Sequence, residues 1–534
     1  MIGAMVSPER FNGILGTDQY QLAMAQVYWK EGIADRPAQF DYFFRRYPDY
    51  GTHQAGYCVT AGLGWLLEWM ETVRFEQEDL TLLAEQRNPS GGRRFDSGFL
   101  DWLADHGDLA DVEVAAVPEG RVVHANAPIA IVRGPLAMTQ ILETPFLNRM
   151  NYPTLIATKA ARVEDAARGS VVLEFGMRRG PESGVFAGGK AALAGGADFS
   201  SNVALSHAVG LDPKGTHAHS MVQAFMALGE GEIEAFRKFA ALYPDECVLL
   251  VDTIDVEDSG VPNAIEVFRE LRASGHEPAG IRIDSGDLAY LTIQAALLLD
   301  AAGFGEVAIV LSSDLDELVI WQILSQLESE APRYGLDPYS LVKRVTFGVG
   351  TRLITSHGDP SLGGVYKLVA IEDDKGAWEP AIKLSENVEK MAVPGEKRVT
   401  RVYDRRGLAT VDIISGIDED PLAGERIELF HPHRELRRSL AKSEISDSEP
   451  LLEPVFVDGR RSDGDPDLAE LRSRRARDLD RLDPGVRRLV NPHIYHVSLS
   501  PVVKALQTRL VAELGDRDPR VDEGGHGPGP VTGA

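Results

Sequence analysis

The chain has 534 residues, too many for one ordinary core, so two or three domains are expected. An apolar content of 44% is that of a soluble globular protein, and with only Cys58 and Cys247 a disulfide scaffold and a cysteine-based zinc site are excluded. The net charge of −26 argues against nucleic-acid and anionic-membrane partners, which reward basic surfaces, and lets an anionic small substrate bind only in a local basic pocket.

Residues 1–10 lack the apolar core of a secretory signal, and no later run is long enough to span a bilayer, so a cytoplasmic protein is expected. From position 17, Leu22, Met24, Val27 and Tyr28 recur at helical spacing behind a Thr17 or Asp18 cap, with Tyr20 in the first turn. A strand over 40–44 ends in the basic pair Arg45-Arg46. A helix over 63–73 carries Trp65 and Trp69 four apart, read as core. Between 111 and 135, short β runs are split by Pro118-Glu119-Gly120 and Asn126-Ala127-Pro128, completing an N-terminal α+β domain.

A helix is expected over 157–168. Short apolar strands with polar tips follow at 171–175, 197–199, 213–216, 248–251, 280–283, 308–311 and 345–349. Helical stretches at 264–273, 289–302 and 316–327 separate the later ones, and 363–369 reads as one more strand. Strand, polar tip and helix repeated this often predict parallel βα units closed into a barrel, with the chemistry at the C-terminal strand ends. The run 187–197 reads as a flexible barrel loop. Beyond it, 399–403 and 409–414 form a predicted hairpin, 434–487 is densely charged, 500–514 fits a closing amphipathic helix, and 516–534 reads as a disordered tail. The expected division is 1–150, an N-terminal α+β domain; 151–370, the barrel; 371–515, a C-terminal domain; and the tail.

Lys214-Gly215-Thr216-His217-Ala218-His219-Ser220 is the most chemically loaded stretch. If it ends a strand, His217 and His219 face the same way. Two imidazoles with a hydroxyl and an amine nearby suit a metal, a phosphate or a phosphoryl group on nitrogen, against the plainer reading of two satisfied histidines. Arg282 and Asp284 share one face of a strand tip, pairing an anion clamp with a carboxylate suited to ribose hydroxyls or Mg²⁺; a structural ion pair is the plain alternative. Gly348-Val349-Gly350-Thr351 offers backbone N–H groups and a hydroxyl to a phosphate. Asp252 and Asp255 could serve metal or sugar, or cap a helix.

Several segments taken together resemble the nicotinate phosphoribosyltransferase family. They are Thr17-Asp18-Gln19-Tyr20, Leu173-Glu174-Phe175-Gly176-Met177-Arg178-Arg179, Gly215-Thr216-His217-Ala218-His219-Ser220, Val251-Asp252-Thr253, Ser259-Gly260-Val261-Pro262-Asn263-Ala264, Arg282-Ile283-Asp284-Ser285-Gly286-Asp287, Gly348-Val349-Gly350-Thr351 and Leu362-Gly363-Gly364-Val365-Tyr366-Lys367-Leu368. Their common order over 17–369 is far more specific than any one of them. After Arg179 the sequence reads Gly180-Pro181, without the Ala-Gln that often stands before it.

The resemblance implies an α/β fold, the irregular (β/α) barrel of type II phosphoribosyltransferases, with an N-terminal α+β domain and a C-terminal extension. It implies transfer of phosphoribosyl from phosphoribosyl pyrophosphate to nicotinate, coupled to ATP as co-substrate and assisted by Mg²⁺, in NAD biosynthesis. It makes His219 the phosphohistidine. Tyr20, Thr216 and Arg282 become nicotinate contacts, with Arg178 adding positive charge; Gly350 and Thr351 become the phosphate cradle; and Asp284 and Asp252 hold ribose or metal. It also implies a homodimer in which Tyr20 reaches the neighbouring site. His217 receives no role.

Three rivals stand beside this reading. A metal-dependent hydrolase on a βα barrel would use His-x-His as ligands, but no later strand tip supplies another histidine. A sister enzyme would take nicotinamide or quinolinate. A catalytically silent barrel is disfavoured because the candidate site residues are intact.

Overall fold

The computed structural model describes residues 12–383, 391–462, 464 and 466–515; the expected disordered tail at 516–534 lies outside the described residues. The first helix, Gln19–Lys30, buries Gln21, Leu22 and Ala25 and leaves Tyr20 and Val27 exposed. The strand Pro37–Phe44 follows, buried from Ala38 onward as a strand covered on both faces should be. It lies inside an antiparallel sheet of seven strands, third in the order. The order is Trp378–Pro380, Gly364–Glu372, Pro37–Phe44, Ala130–Pro135, Glu113–Ala116, Glu453–Val457 and Arg460–Arg461. Strand Gly364–Glu372, grouped with the barrel by sequence, thus pairs with the N-terminal strand, Tyr366 opposite Tyr42.

The helix Leu63–Thr72 turns Leu63, Leu66, Leu67 and Met70 to the core. Trp65 and Trp69, expected there, are only half-buried. Trp65 stacks on Phe186 at 5.7 Å, and the Arg149 guanidinium lies 4.3 Å from the Trp69 ring centre.

The second sheet is wholly parallel and has six strands in the order Phe199–Ser200, Val172–Glu174, Val345–Val349, Ala308–Ser312, Gly280–Ile283 and Val248–Leu250. Helices Val261–Ala273, Leu288–Ala301 and Glu317–Glu330 connect its later strands, as the βα alternation predicts. The long helix Glu143–Ala167 absorbs the one expected at 157–168. Against it packs helix Glu182–Gly195, where the sequence suggested a flexible loop. Glycine serves close approach there: a Cβ on Gly195 would sit 2.4 Å from the Ala157 carbonyl oxygen.

The strand expected at 213–216 does not form, and residues 211–218 have no regular secondary structure. The segment instead runs between the two outer strands, its Lys214 N–H donating to Ser200 O at 3.0 Å. It closes the parallel sheet into an irregular barrel.

The hairpin expected near 399–414 is Lys397–Asp404 with Ala409–Gly416, within a third, six-stranded sheet. There Ala409–Gly416 pairs in parallel with His496–Leu499, and helix Pro501–Gly515 follows.

A buried ionic cluster ties distant stretches together. Glu317, fully buried, meets Lys159 at 2.7 Å, Arg162 at 3.1 Å and His53 at 2.8 Å. Lys159 Nζ sits 3.7 Å from the Tyr50 ring centre, and Arg162 also donates to Leu489 O at 2.9 Å. Among the described residues, no helix is long and apolar enough to cross a membrane.

Candidate active site

Parallel register decides which side chains meet at the barrel mouth. Leu250, Arg282 and Val310 are in line on adjacent strands, so two residues further on Asp252, Asp284 and Ser312 arrive together at the C-terminal edge. Arg282, one step inside, donates from Nε to Ser312 Oγ at 2.9 Å, from Nη1 to Thr216 Oγ1 at 3.1 Å and from Nη2 to Asp284 Oδ1 at 2.9 Å. The Ser312 hydroxyl passes its proton toward the same Asp284 oxygen. The ion pair between Arg282 and Asp284, the plain alternative in the sequence, is therefore present, as part of a network. A guanidinium has five N–H donors, so one on each terminal nitrogen remains for an incoming anion.

Asp252 Oδ2 accepts from the Asp284 amide at 3.0 Å and from Ser285 Oγ at 2.6 Å. Its other oxygen, Oδ1, is buried without a hydrogen-bond partner, 3.6 Å from His219 Nε2. Asp284 Oδ2 lies 3.9 Å from the same nitrogen. His219 opens helix His219–Ala227, and its Nδ1 shares a hydrogen with Thr253 Oγ1 at 3.1 Å. The two histidines do not face one way, because the segment is not a strand. His217 turns to the barrel wall, where its Nε2 accepts from Leu250 N–H at 3.1 Å and its ring packs on Phe236 and Phe239. Burial pushes its pKa down to about 4, with the Arg282 and His219 charges adding to the effect. A two-histidine metal site does not form.

Phe175, just past strand Val172–Glu174, lies under the Arg282 guanidinium at 5.5 Å. The next strand makes room for the ring: a Cβ on Gly348 would be 2.5 Å from Phe175 Cε2. Gly350 and Thr351 follow at the turn into the short helix Thr351–Ile354 on the same rim. Glu174 is buried behind Phe175, accepting from Ser200 Oγ at 2.6 Å and from the Gly176 amide; burial raises its pKa.

Of the residues singled out by sequence, Thr216, His219, Asp252, Arg282 and Asp284 come together, with Gly350 and Thr351 two strands away on the same rim. Arg178 is exposed on the turn Met177–Arg179, and no contact joins it to this cluster among the described residues. Tyr20, 52% exposed, sits on the N-terminal helix, where burial and the charges of Glu143 and Asp18 raise its pKa; no contact joins it to the cluster either. Sequence reasoning gave no role to Ser312, Thr253 or Phe175. Ser312 was recoverable from register alone, since it stands level with Asp284. Among the described residues, no group of three or more His, Cys, Asp or Glu side chains is arranged to hold a metal. Asp252 and Asp284 are the carboxylates available to one.

Comparison with known proteins decides the family. Residues 15–151 match the model of the nicotinate phosphoribosyltransferase N-terminal domain, and 396–507 that of its C-terminal domain. A nicotinate phosphoribosyltransferase of Bacillus subtilis is 38% identical over 489 residues, covering 91% of this chain and 92% of its own. The chain belongs to the nicotinate phosphoribosyltransferase family. The crystal structure of human nicotinic acid phosphoribosyltransferase superimposes with a TM-score of 0.74 at 30% identity, over 92% of this chain and 99% of that one. A nicotinate-nucleotide pyrophosphorylase from Pyrococcus furiosus shares the fold, with a TM-score of 0.65 at 19% identity over 90% of this chain and 99% of its own. Several of the motifs that carry the family resemblance, those of Thr216 and His219, Asp252, Arg282 and Asp284, and Gly350 and Thr351, are thus segments remote in sequence whose polar ends share one barrel edge.

Proposed function

We propose that this member of the nicotinate phosphoribosyltransferase family forms nicotinate mononucleotide and pyrophosphate from nicotinate and phosphoribosyl pyrophosphate, coupled to ATP hydrolysis through His219. The observation that carries the reading is Arg282, braced by Ser312, Thr216 and Asp284 over the Phe175 ring, with an N–H left on each terminal nitrogen. That is a receptor for a flat aromatic carboxylate. In the reaction the bond from the anomeric carbon to pyrophosphate oxygen breaks. The bond to the pyridine nitrogen forms from that nitrogen's lone pair, and no proton moves. Arg282 and Phe175 orient the ring so that the lone pair meets the carbon as it gains cationic character. Gly350 and Thr351 receive the 5-phosphate, and Arg178 adds positive charge for the anions.

Mg²⁺ fits the unpartnered Asp252 Oδ1 and the neighbouring Asp284 Oδ2, since this ion takes one or two carboxylates together with substrate phosphates. When bound it would neutralise charge on the departing diphosphate. His219 Nε2, beside both carboxylates and partly exposed, is open to phosphoryl transfer from ATP; the γ-phosphorus bond to ADP oxygen breaks and one to imidazole nitrogen forms. The phosphoryl group then crowds Asp252, which shares Ser285 and the Asp284 amide with the substrate site. Tyr20, exposed and joined to its own barrel cluster by no contact among the described residues, serves the site of a second copy in a homodimer.

The test is nicotinate mononucleotide formation from nicotinate and phosphoribosyl pyrophosphate with Mg²⁺, with and without ATP, on wild type and His219→Ala. Product that rises with ATP in wild type and loses that response in the variant supports the reading. No product under any condition rejects it.

A further inference from the structure

The barrel is closed by a side chain. Its outer strands, Phe199–Ser200 and Val248–Leu250, are not paired with each other, and the gap between them is filled by the irregular segment 211–218. On one side Lys214 N–H reaches Ser200 O by an ordinary backbone bond. On the other side the Leu250 N–H, which a seventh strand would have met with a carbonyl, is met by the imidazole of His217 at 3.1 Å.

We infer that His217 is a positioning residue: by accepting the Leu250 amide proton at Nε2 it closes the barrel seam and holds Thr216 and His219 at their stations. The residue is 7% exposed, and Phe236 and Phe239 pack on its ring at 5.9 and 5.0 Å, so its orientation is locked. Its Nδ1 faces Ala218 O at 3.4 Å, which puts the hydrogen there and leaves the Nε2 lone pair for Leu250. One residue before it, Thr216 donates to the His217 carbonyl at 3.0 Å and accepts from Arg282. Two residues after it, His219 begins its helix and reaches Thr253, three residues past Leu250, the end of the strand that His217 grips. The seam bond is therefore the anchor between two site contacts. Without it a buried amide is left unpaired, and the segment is free to withdraw from the sheet.

The functional half of this inference rests on the roles proposed above for Thr216 and His219, so its test has a readout that does not. His217→Gln keeps an acceptor at the reach of Nε2; His217→Phe keeps an aromatic ring against Phe236 and Phe239 without one. Hydrogen exchange of the peptide holding Leu250, read by mass spectrometry, stays slow in wild type and His217→Gln and accelerates at least tenfold in His217→Phe. In steady-state assays, the KM for nicotinate rises about tenfold or more in His217→Phe and ATP stimulation falls, whereas His217→Gln stays within threefold of wild type. Equal exchange and equal KM in His217→Phe and wild type overturn the inference. Equal impairment of both variants also overturns it, because the acceptor kept in His217→Gln would then have rescued nothing. A wild type that makes product but ignores ATP rejects the phosphohistidine, while exchange and nicotinate KM still judge the seam.

Discussion

Arg282 Nε donates to Ser312 Oγ at 2.9 Å, tying adjacent barrel strands together at their tips. Ser312 does not face the open rim as Arg282 and Asp284 do; it is buried, and its hydroxyl serves both partners at once. Ser312→Ala removes two hydrogen bonds to charged groups without changing the charge. One such bond contributes about 1.5–3 kcal/mol, so kcat/KM for nicotinate should fall about tenfold or more, mostly through KM. Steady-state kinetics with nicotinate varied at saturating phosphoribosyl pyrophosphate reads this directly.

Gly348 is the floor beneath Phe175. A methyl group there would stand 2.5 Å from Cε2, so Gly348→Ala must push the ring toward the site or tilt it from beneath Arg282. Nicotinate binding should weaken at least tenfold while the thermal midpoint changes by a few degrees at most, measured by calorimetric titration and thermal melting. Unchanged affinity would mean that the ring plays no part in binding.

Glu317 carries the stability of the buried ionic cluster. Burial alone would raise its pKa, but the hydrogen bond from His53 and the charges of Lys159 and Arg162 outweigh burial and hold it well below the usual carboxylate range. A depressed folded pKa means that this stabilisation is complete above the ordinary value of 4.5 and is lost as pH falls below it. Glu317→Gln leaves two buried cations without their carboxylate and should cost about 3–5 kcal/mol in urea denaturation at pH 7. Its deficit relative to wild type should shrink in acid.

His217 gives a second acid-sensitive contribution. Its folded pKa of about 4 lies below the ordinary 6.5, so the unfolded chain binds the extra proton between those values and stability drops as pH falls through that window. Arg282 and His219 are the charged neighbours that add to the depression, and Phe236 and Phe239 supply the apolar wall. His217→Gln has no such proton. From pH 7 to pH 4.5 wild type should lose about 2.5 kcal/mol more than the variant, seen as converging urea midpoints.

Much of the site was legible because a parallel barrel brings every strand's polar tip to one edge; Arg282, Asp284 and Asp252 meet for that reason. Among the readings that failed, three have a clear physical cause. The glycine and alanine run at 187–197 has no polar face to give a period, and it looked flexible. Its glycines instead let helix Glu182–Gly195 approach helix Glu143–Ala167. The segment at 213–216 has strand-like neighbours but no partner of its own, and its last bond to the sheet comes from an imidazole, which no backbone pattern encodes. Strand Gly364–Glu372 was correctly expected near its position, yet its partner lies over 300 residues earlier, and pairing at that distance leaves no local trace.

The cluster around Glu317 draws on a loop at His53, a helix at Lys159 and Arg162, the first residue of the helix that starts at Glu317 and a carbonyl at Leu489. A cut between Arg162 and Glu317 strands unpaired ions in an apolar interior on both sides of the break, whereas one before Leu489 removes only a carbonyl that Arg162 meets and one after His53 only a hydrogen bond to Glu317. The barrel is therefore not divisible within this span: a fragment that ends between Arg162 and Glu317 should accumulate as insoluble chain. Co-expression of the complementary pieces, by contrast, should restore the missing counter-charge and return both to the soluble fraction.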